Sequence, residues 1–235
     1  MINTLLPFAP YRLSGTVYGV LLNHAAALAA LGDAVNAPPY KAPPNAPVLY
    51  VKPRNTLSTP GQAIDVPADV PALQVGANLG AVIARTACRV SAARALDFVA
   101  GYAIVDDLSV PHESFFRPSV RFKALDGSCA IGPVHPRSRV SNPDRLPVRV
   151  FIDGQLVQST DTANRRRSLA QLLADITDFM TLAPGDIVLL GTSHGAPTAL
   201  AGQRVAIEIE GLGRLENMLS PAGAAAHDHP MEPHA

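Results

Sequence analysis

The spacing of apolar residues changes along the chain, and its period predicts the elements. Residues 16–22 (TVYGVLL) are apolar and β-branched and predict a strand. Asn23 follows as the predicted N-cap of a short Ala-rich helix ending near Leu31. Residues 36–47 hold five prolines and read as an extended loop. VLYV (48–51) predicts a buried strand. Leu73, Val75, Ala77, Leu79, Ala81 and Ile83 alternate along the chain, the period of a half-buried strand. Ser91 predicts the cap of a short helix over 92–97, and VAGYAIVDDLSV (99–110) a strand ending in a polar turn. SVRFKAL (119–125) and the region around Ile131 predict further strands.

The second half carries clearer signals. Two β-rich runs within 148–160 flank Asp153-Gly154, the dipeptide of a type I′ hairpin turn. Ser168 and Gln171 form a capping box, which starts a helix with Leu169, Leu172, Leu173, Ile176 and Phe179 on one face. APGD (183–186) predicts a tight turn, and IVLLGT (187–192) and RVAIEIEG (204–211) the closing strands. Strands outnumber helices and no repeat of 20–50 residues occurs. The predicted class is α+β, mostly β, with one domain over 16–219, an N-terminal extension at 1–15 and a flexible tail at 220–235.

Composition narrows the function classes. A chain of 235 residues with 48% hydrophobic residues can bury a large core, which excludes a disordered body. Nineteen cations balance nineteen anions, so the basic excess of a general nucleic-acid binder is missing. Only Lys41, Lys52 and Lys123 are lysines, which makes each worth examining. Cys88 and Cys129 lack metal-type spacing and are expected to be buried free thiols. No apolar run reaches the length of a membrane span, and Met1–Pro10 has no basic leader region, so a cytoplasmic location is expected. His227, His229 and His234 lie in the polar tail.

Several motifs, taken in order, resemble the fumarylacetoacetate hydrolase superfamily. FMTLAPGDIVLLGTSHG followed by GQRVAIEIEGLGRLEN resembles its C-terminal signature; DFVAGYAIVDDLSV and RFKALDGSCAIGP resemble two further motifs. PPYKAPPNAPVLYVKPRNTL and PHESFFRPSVRFKALDG are similar to the amino-terminal half of the family's tandem isomerase/decarboxylases of 4-hydroxyphenylacetate (homoprotocatechuate) catabolism. The resemblance implies a mixed β-roll with short helices and assembly as a dimer. The dimer would be a homodimer, or a heterodimer with a paralogous chain like the carboxyl-terminal half.

The resemblance also implies a chemistry. The family holds Mg2+ or Mn2+ on carboxylates, and the ion stabilises an enolate of a small oxo-acid substrate. Two ligands come from a Glu-x-Glu, which here reads Gly76-Ala77-Asn78, and the third aligns with Asp107. Both Glu-x-Glu carboxylates are therefore missing, and Asp107 alone is a poor Mg2+ site. A general-base His and Glu fall on Ala27 and Ala30. Lys123 aligns with a lysine that holds a substrate carboxylate, with Arg117 and the Thr192 hydroxyl as further substrate contacts. His112 and Glu113 are candidate proton-transfer residues, and His194 replaces a proline of the GTSHG loop.

Each of these has a plain structural reading. Lys123 reads as a surface strand residue, Asp106 and Asp107 as turn residues, and His112–Glu113 as a solvated loop pair. His24 reads as a packing histidine, and Arg165–Arg167 as a solvated run or a contact to a partner or an anion. Three functions stay open. The chain is a subunit of a 5-oxopent-3-ene-1,2,5-tricarboxylate decarboxylase/isomerase, a non-catalytic paralogue that stabilises a catalytic partner, or an acylpyruvate-type C–C hydrolase.

Overall fold

The computed structural model of the chain describes residues 15–112 and 120–222. In chain order its elements begin β1 (Val17–Leu21), α1 (Ala25–Ala29), β2 (Val48–Lys52), β3 (Leu57–Ser58), β4 (Ala63–Val66) and β5 (Leu73–Gln74). They continue with β6 (Ala77–Ile83), α2 (Ala92–Ala95), β7 (Val99–Asp107), α3 (Val120–Lys123), β8 (Cys129–Ile131), β9 (His135–Pro136) and β10 (Pro147–Ile152). The last are β11 (Gln155–Asp161), α4 (Leu169–Phe179), β12 (Ile187–Leu189), β13 (Thr198–Ala199), β14 (Arg204–Ile209) and β15 (Gly213–Pro221).

The larger sheet runs β2-β1-β12-β6-β7-β8-β3, with β9 beside β7. Its two edge strands, β2 and β3, are separated only by residues 53–56. That link spans at most about 17 Å, so the sheet must curl until its edges nearly meet. The mostly-β class with few short helices follows, as expected. Inside the curl, Val17, Val82, Val105, Ile131, Ile187 and Leu189 form a small core. The outer face packs on the second sheet, β11-β10-β14-β15-β4, and on α4 through the main core, which includes Leu79, Ile104, Leu172, Ile207 and Leu215.

Double coverage explains one difference from the sequence reading. Every residue of β6 is buried, so the alternation of large apolar residues marks the wide outer core and not a solvated face. The intervening Gly80 is small because the curl is tight; a Cβ there would lie 2.9 Å from Val105.

Other local signals meet tertiary contacts. The Asp153-Gly154 turn forms with both φ angles positive, 49° and 79°, as a type I′ turn requires. Ser168 caps α4 through the Gln171 N–H at 3.2 Å, but the Gln171 amide turns away to Asp175, so only half of the capping box forms. Leu169, Leu172, Leu173 and Ile176 are buried, each contributing about 1.5–3 kcal/mol. Phe179, in contrast, is 65% exposed, because α4 ends at the rim of the core.

Asn23 does not cap α1; His24 does, its Nδ1 accepting from the Ala26 N–H. Asn23 is drawn off by Leu190 O and by the main chain of Arg167. β2 is an edge strand with Val51 48% exposed, so it is only half-buried. Residues 120–123 form the single turn α3 and not a strand, and Cys88 is exposed while Cys129 is buried. The N-terminal extension to residue 14 and the tail histidines lie outside the described residues. Among the described residues no helix is long and apolar enough to cross a membrane.

Candidate functional site

The curl brings one end of β2, β6 and β7 together with α3. Tyr50 and Lys52 are two apart on β2, so both point into the curl. Gly19 opposite Tyr50 has no side chain, and a Cβ there would strike the Tyr50 ring. Asp107 ends β7 and is fully buried. Its carboxylate accepts from the Tyr50 hydroxyl and pairs with Lys52 Nζ at 3.0 Å and Lys123 Nζ at 2.9 Å. Lys52 Nζ also donates to Lys123 O at 2.6 Å and Ser128 Oγ at 3.0 Å, with Leu108 O at 3.4 Å. Burial pushes the Asp107 carboxyl up, but Lys123, Lys52 and Tyr50 outweigh it and hold it at about 2.

The site residues named from the sequence separate into groups. Lys123 is 5% exposed, on a helix, and not the surface strand residue of the plain reading. It borders a cavity of about 130 Å³ whose wall also includes Tyr50, Gln74, His112, Thr192 and His194. Thr192 accepts from the Asn78 carboxamide at 3.1 Å. The His112 Nδ1–H donates to Val110 O, and the ring stacks on Phe122 at 4.8 Å. Burial first, and then Lys123, lower the His112 pKa. Glu113 and Arg117 lie outside the described residues. Asp106 is no turn residue; it faces the outer core, and neither carboxylate oxygen has a partner among the described residues. Burial and the Asp107 charge raise it to about 7. Arg165 is not solvated either, for its guanidinium holds Gly191 O and Ser193 Oγ of the GTSHG loop.

Lys52 and Tyr50 were assigned no role from the sequence. The available signals were the scarcity of lysine and the two-residue spacing on a strand.

These residues do not fit a divalent ion. Asp107, the expected ligand, already meets two ammonium groups and a hydroxyl, and both ammoniums repel a second cation. Asn78 is engaged through its oxygen with the Gly191 N–H at 2.7 Å. Position 76 is closed, since a Cβ on Gly76 would lie 2.2 Å from Asp107 O. No group of three or more His, Cys, Asp or Glu side chains among the described residues is arranged to hold a metal. We expect Gly76→Ala to cost about 1–3 kcal/mol in urea unfolding, because β6 and β7 must part to admit it. An unchanged midpoint would mean that the strands give way freely.

A curled mixed sheet of this order, packed on a second sheet and one helix, is shared with a family of known proteins. Residues 16–220 match the family model described as fumarylacetoacetate (FAA) hydrolase C-terminal, so the chain is a member of the fumarylacetoacetate hydrolase family. It is 40% identical over 205 residues to the 4-hydroxyphenylacetate degradation bifunctional isomerase/decarboxylase of Salmonella dublin. The match covers 87% of this chain and 47% of that protein, in its amino-terminal half. The chain thus spans about half the length of that relative. A mitochondrial oxaloacetate tautomerase of Oryza sativa subsp. japonica is 33% identical, with 85% and 88% of the two chains covered. Among solved structures, 5-carboxymethyl-2-hydroxymuconate delta-isomerase from Mycobacterium smegmatis superposes with a TM-score of 0.76 at 30% identity, covering 90% of this chain and 80% of that one. Fumarylpyruvate hydrolase from Pseudomonas aeruginosa, in complex with Mn2+ and pyruvate, gives 0.74 at 26% identity, covering 88% and 89%.

Proposed function

We propose that this chain is the amino-half-like subunit of a two-part decarboxylase/isomerase in 4-hydroxyphenylacetate catabolism. The substrates would be 5-oxopent-3-ene-1,2,5-tricarboxylate and its isomerisation product. The metal-bearing Glu-x-Glu site would reside in a paralogous partner chain. One observation carries the reading: the likeness to the amino-terminal half runs along 87% of this chain, while the two positions that align with metal carboxylates are Gly76 and Asn78. This chain then contributes one half of a paired assembly and a pocket whose cation is Lys123.

The test is decarboxylation of the tricarboxylate with excess Mg2+, by this chain alone, by the partner alone and by the mixture. We expect this chain to be silent alone and the mixture to exceed the partner. Turnover by this chain alone would overturn the reading. A partner rate that is unchanged on mixing would leave the non-catalytic role, which the commitment of Asn78 and Asp107 to internal contacts also favours. The C–C hydrolase reading requires the same missing carboxylates; release of pyruvate from an acylpyruvate by this chain alone would revive it.

A further inference from the structure

The acid–lysine cluster presents charge of one sign to the cavity. Asp107 and Lys52 are not in the cavity wall; they lie behind Lys123 and Tyr50, which are. A cation entering from the cavity therefore meets the Lys123 ammonium first. An anion entering by the same route meets a cluster of one carboxylate and two ammoniums, which carries net positive charge on that side of β7. Lys52 is itself enclosed by four oxygens, from Asp107, Lys123, Ser128 and Leu108. It therefore has no donor to turn toward the cavity. Lys123 donates to Asp107, lies over the Tyr50 ring at 4.7 Å and borders the cavity. The cavity, about 130 Å³, suits a molecule of a few heavy atoms. The Thr192 hydroxyl on the same wall is held by the Asn78 amide, which leaves its own proton to be donated.

We propose that this cavity binds a small organic carboxylate, such as a 2-oxo acid, with no divalent ion, Lys123 meeting the carboxylate and Lys52 positioning it through Asp107. The inference rests on the reading of the cavity as an oxo-acid site, and deepens it. Lys52 acts as a fixed internal cation: it neutralises Asp107, so the charge of Lys123 is left for the ligand.

The test uses the whole chain and pyruvate, followed by ligand-observed NMR. Titrations are run in EDTA, in Mg2+ and in Mn2+. We expect binding in EDTA, with a dissociation constant changed less than about twofold by Mg2+. We expect Mn2+ to broaden the pyruvate methyl signal no more with protein than without it. Lys123→Gln is expected to weaken binding at least about tenfold, and Lys52→Met to weaken it by a similar factor, while Lys52→Arg keeps it. A purely structural role for Lys52 would lower thermal stability and leave the affinity of the folded variant unchanged. Binding only with Mg2+ or Mn2+, protein-dependent broadening by Mn2+, or no binding in any condition would each overturn the proposal. The wild-type titrations decide it even if a lysine variant fails to fold. Failure of the partner-activation assay would leave these results standing, and metal-dependent binding would overturn this inference without touching the partner's role.

Discussion

Asp107→Asn is expected to destabilise the protein by about 3–5 kcal/mol, because it leaves two buried ammoniums with no anion between them. Lys52 is buried and enclosed by protein oxygens, so water cannot replace the carboxylate beside it without opening the curl, whereas Lys123 borders the cavity. Urea unfolding at pH 7 measures the loss. A cost under about 1 kcal/mol would show that the cluster is wet and screened, as exposed ion pairs are. The pH dependence gives an independent check. The folded Asp107 carboxyl is held at about 2, below the ordinary value near 3.9 in an unfolded chain. Its contribution is therefore complete above pH 4 and is lost as pH falls through 2. The wild type should lose about 2–3 kcal/mol over that window that Asp107→Asn does not lose. The mutational cost exceeds the titration cost because a protonated acid still accepts from Tyr50 and the lysines, whereas the amide turns an N–H₂ toward one of them.

The elements that local chemistry specifies were legible in the sequence. The Asp153-Gly154 turn and the capped start of α4 depend on neighbours within four residues, and both form where expected. The burial of β6 on both faces depends on a curl closed by residues far along the chain, so its alternation looked half-buried. Residues 120–123 show how little a short run decides. One helical turn is not stabilised by propensity alone; here the Phe122 ring on His112 and the Lys123 ion pair are made by a turn. That positions 76 and 78 carry no carboxylate could be read directly from Gly76 and Asn78. The lysine contacts of Asp107 could not. Lys52 aligns with no expected ligand, and its approach to Asp107 exists only because the edge strand β2 is carried round to the end of β7. Asp106 reads in the sequence as a turn residue; that it is buried and unpartnered among the described residues depends on which apolar residues the second sheet places over it.

Asp106→Asn should stabilise the protein at neutral and alkaline pH and leave it unchanged in acid. In the folded chain burial, together with the Asp107 charge, raises the Asp106 carboxyl to about 7 against about 3.9 unfolded. Below pH 4 both states hold the proton and the side chain adds no pH dependence. Between pH 4 and 7 the unfolded chain ionises and the folded one does not, so stability falls by about 1.4 kcal/mol per pH unit. Above pH 7 both are ionised and the accumulated loss, up to about 4 kcal/mol, is complete. Asparagine has the shape of the neutral acid and does not titrate, so it matches the wild type at pH 4 and exceeds it increasingly up to pH 8. Urea midpoints of both proteins at pH 4, 5, 6, 7 and 8 test this, and a difference that is constant with pH would refute it. The two neighbouring carboxyls thus act with opposite sign: Asp107 penalises acid below pH 4 and Asp106 penalises base above it. Together they place their joint stability maximum near pH 4, well below the range where most proteins are most stable, and Asp106→Asn should extend that maximum into a plateau reaching pH 8.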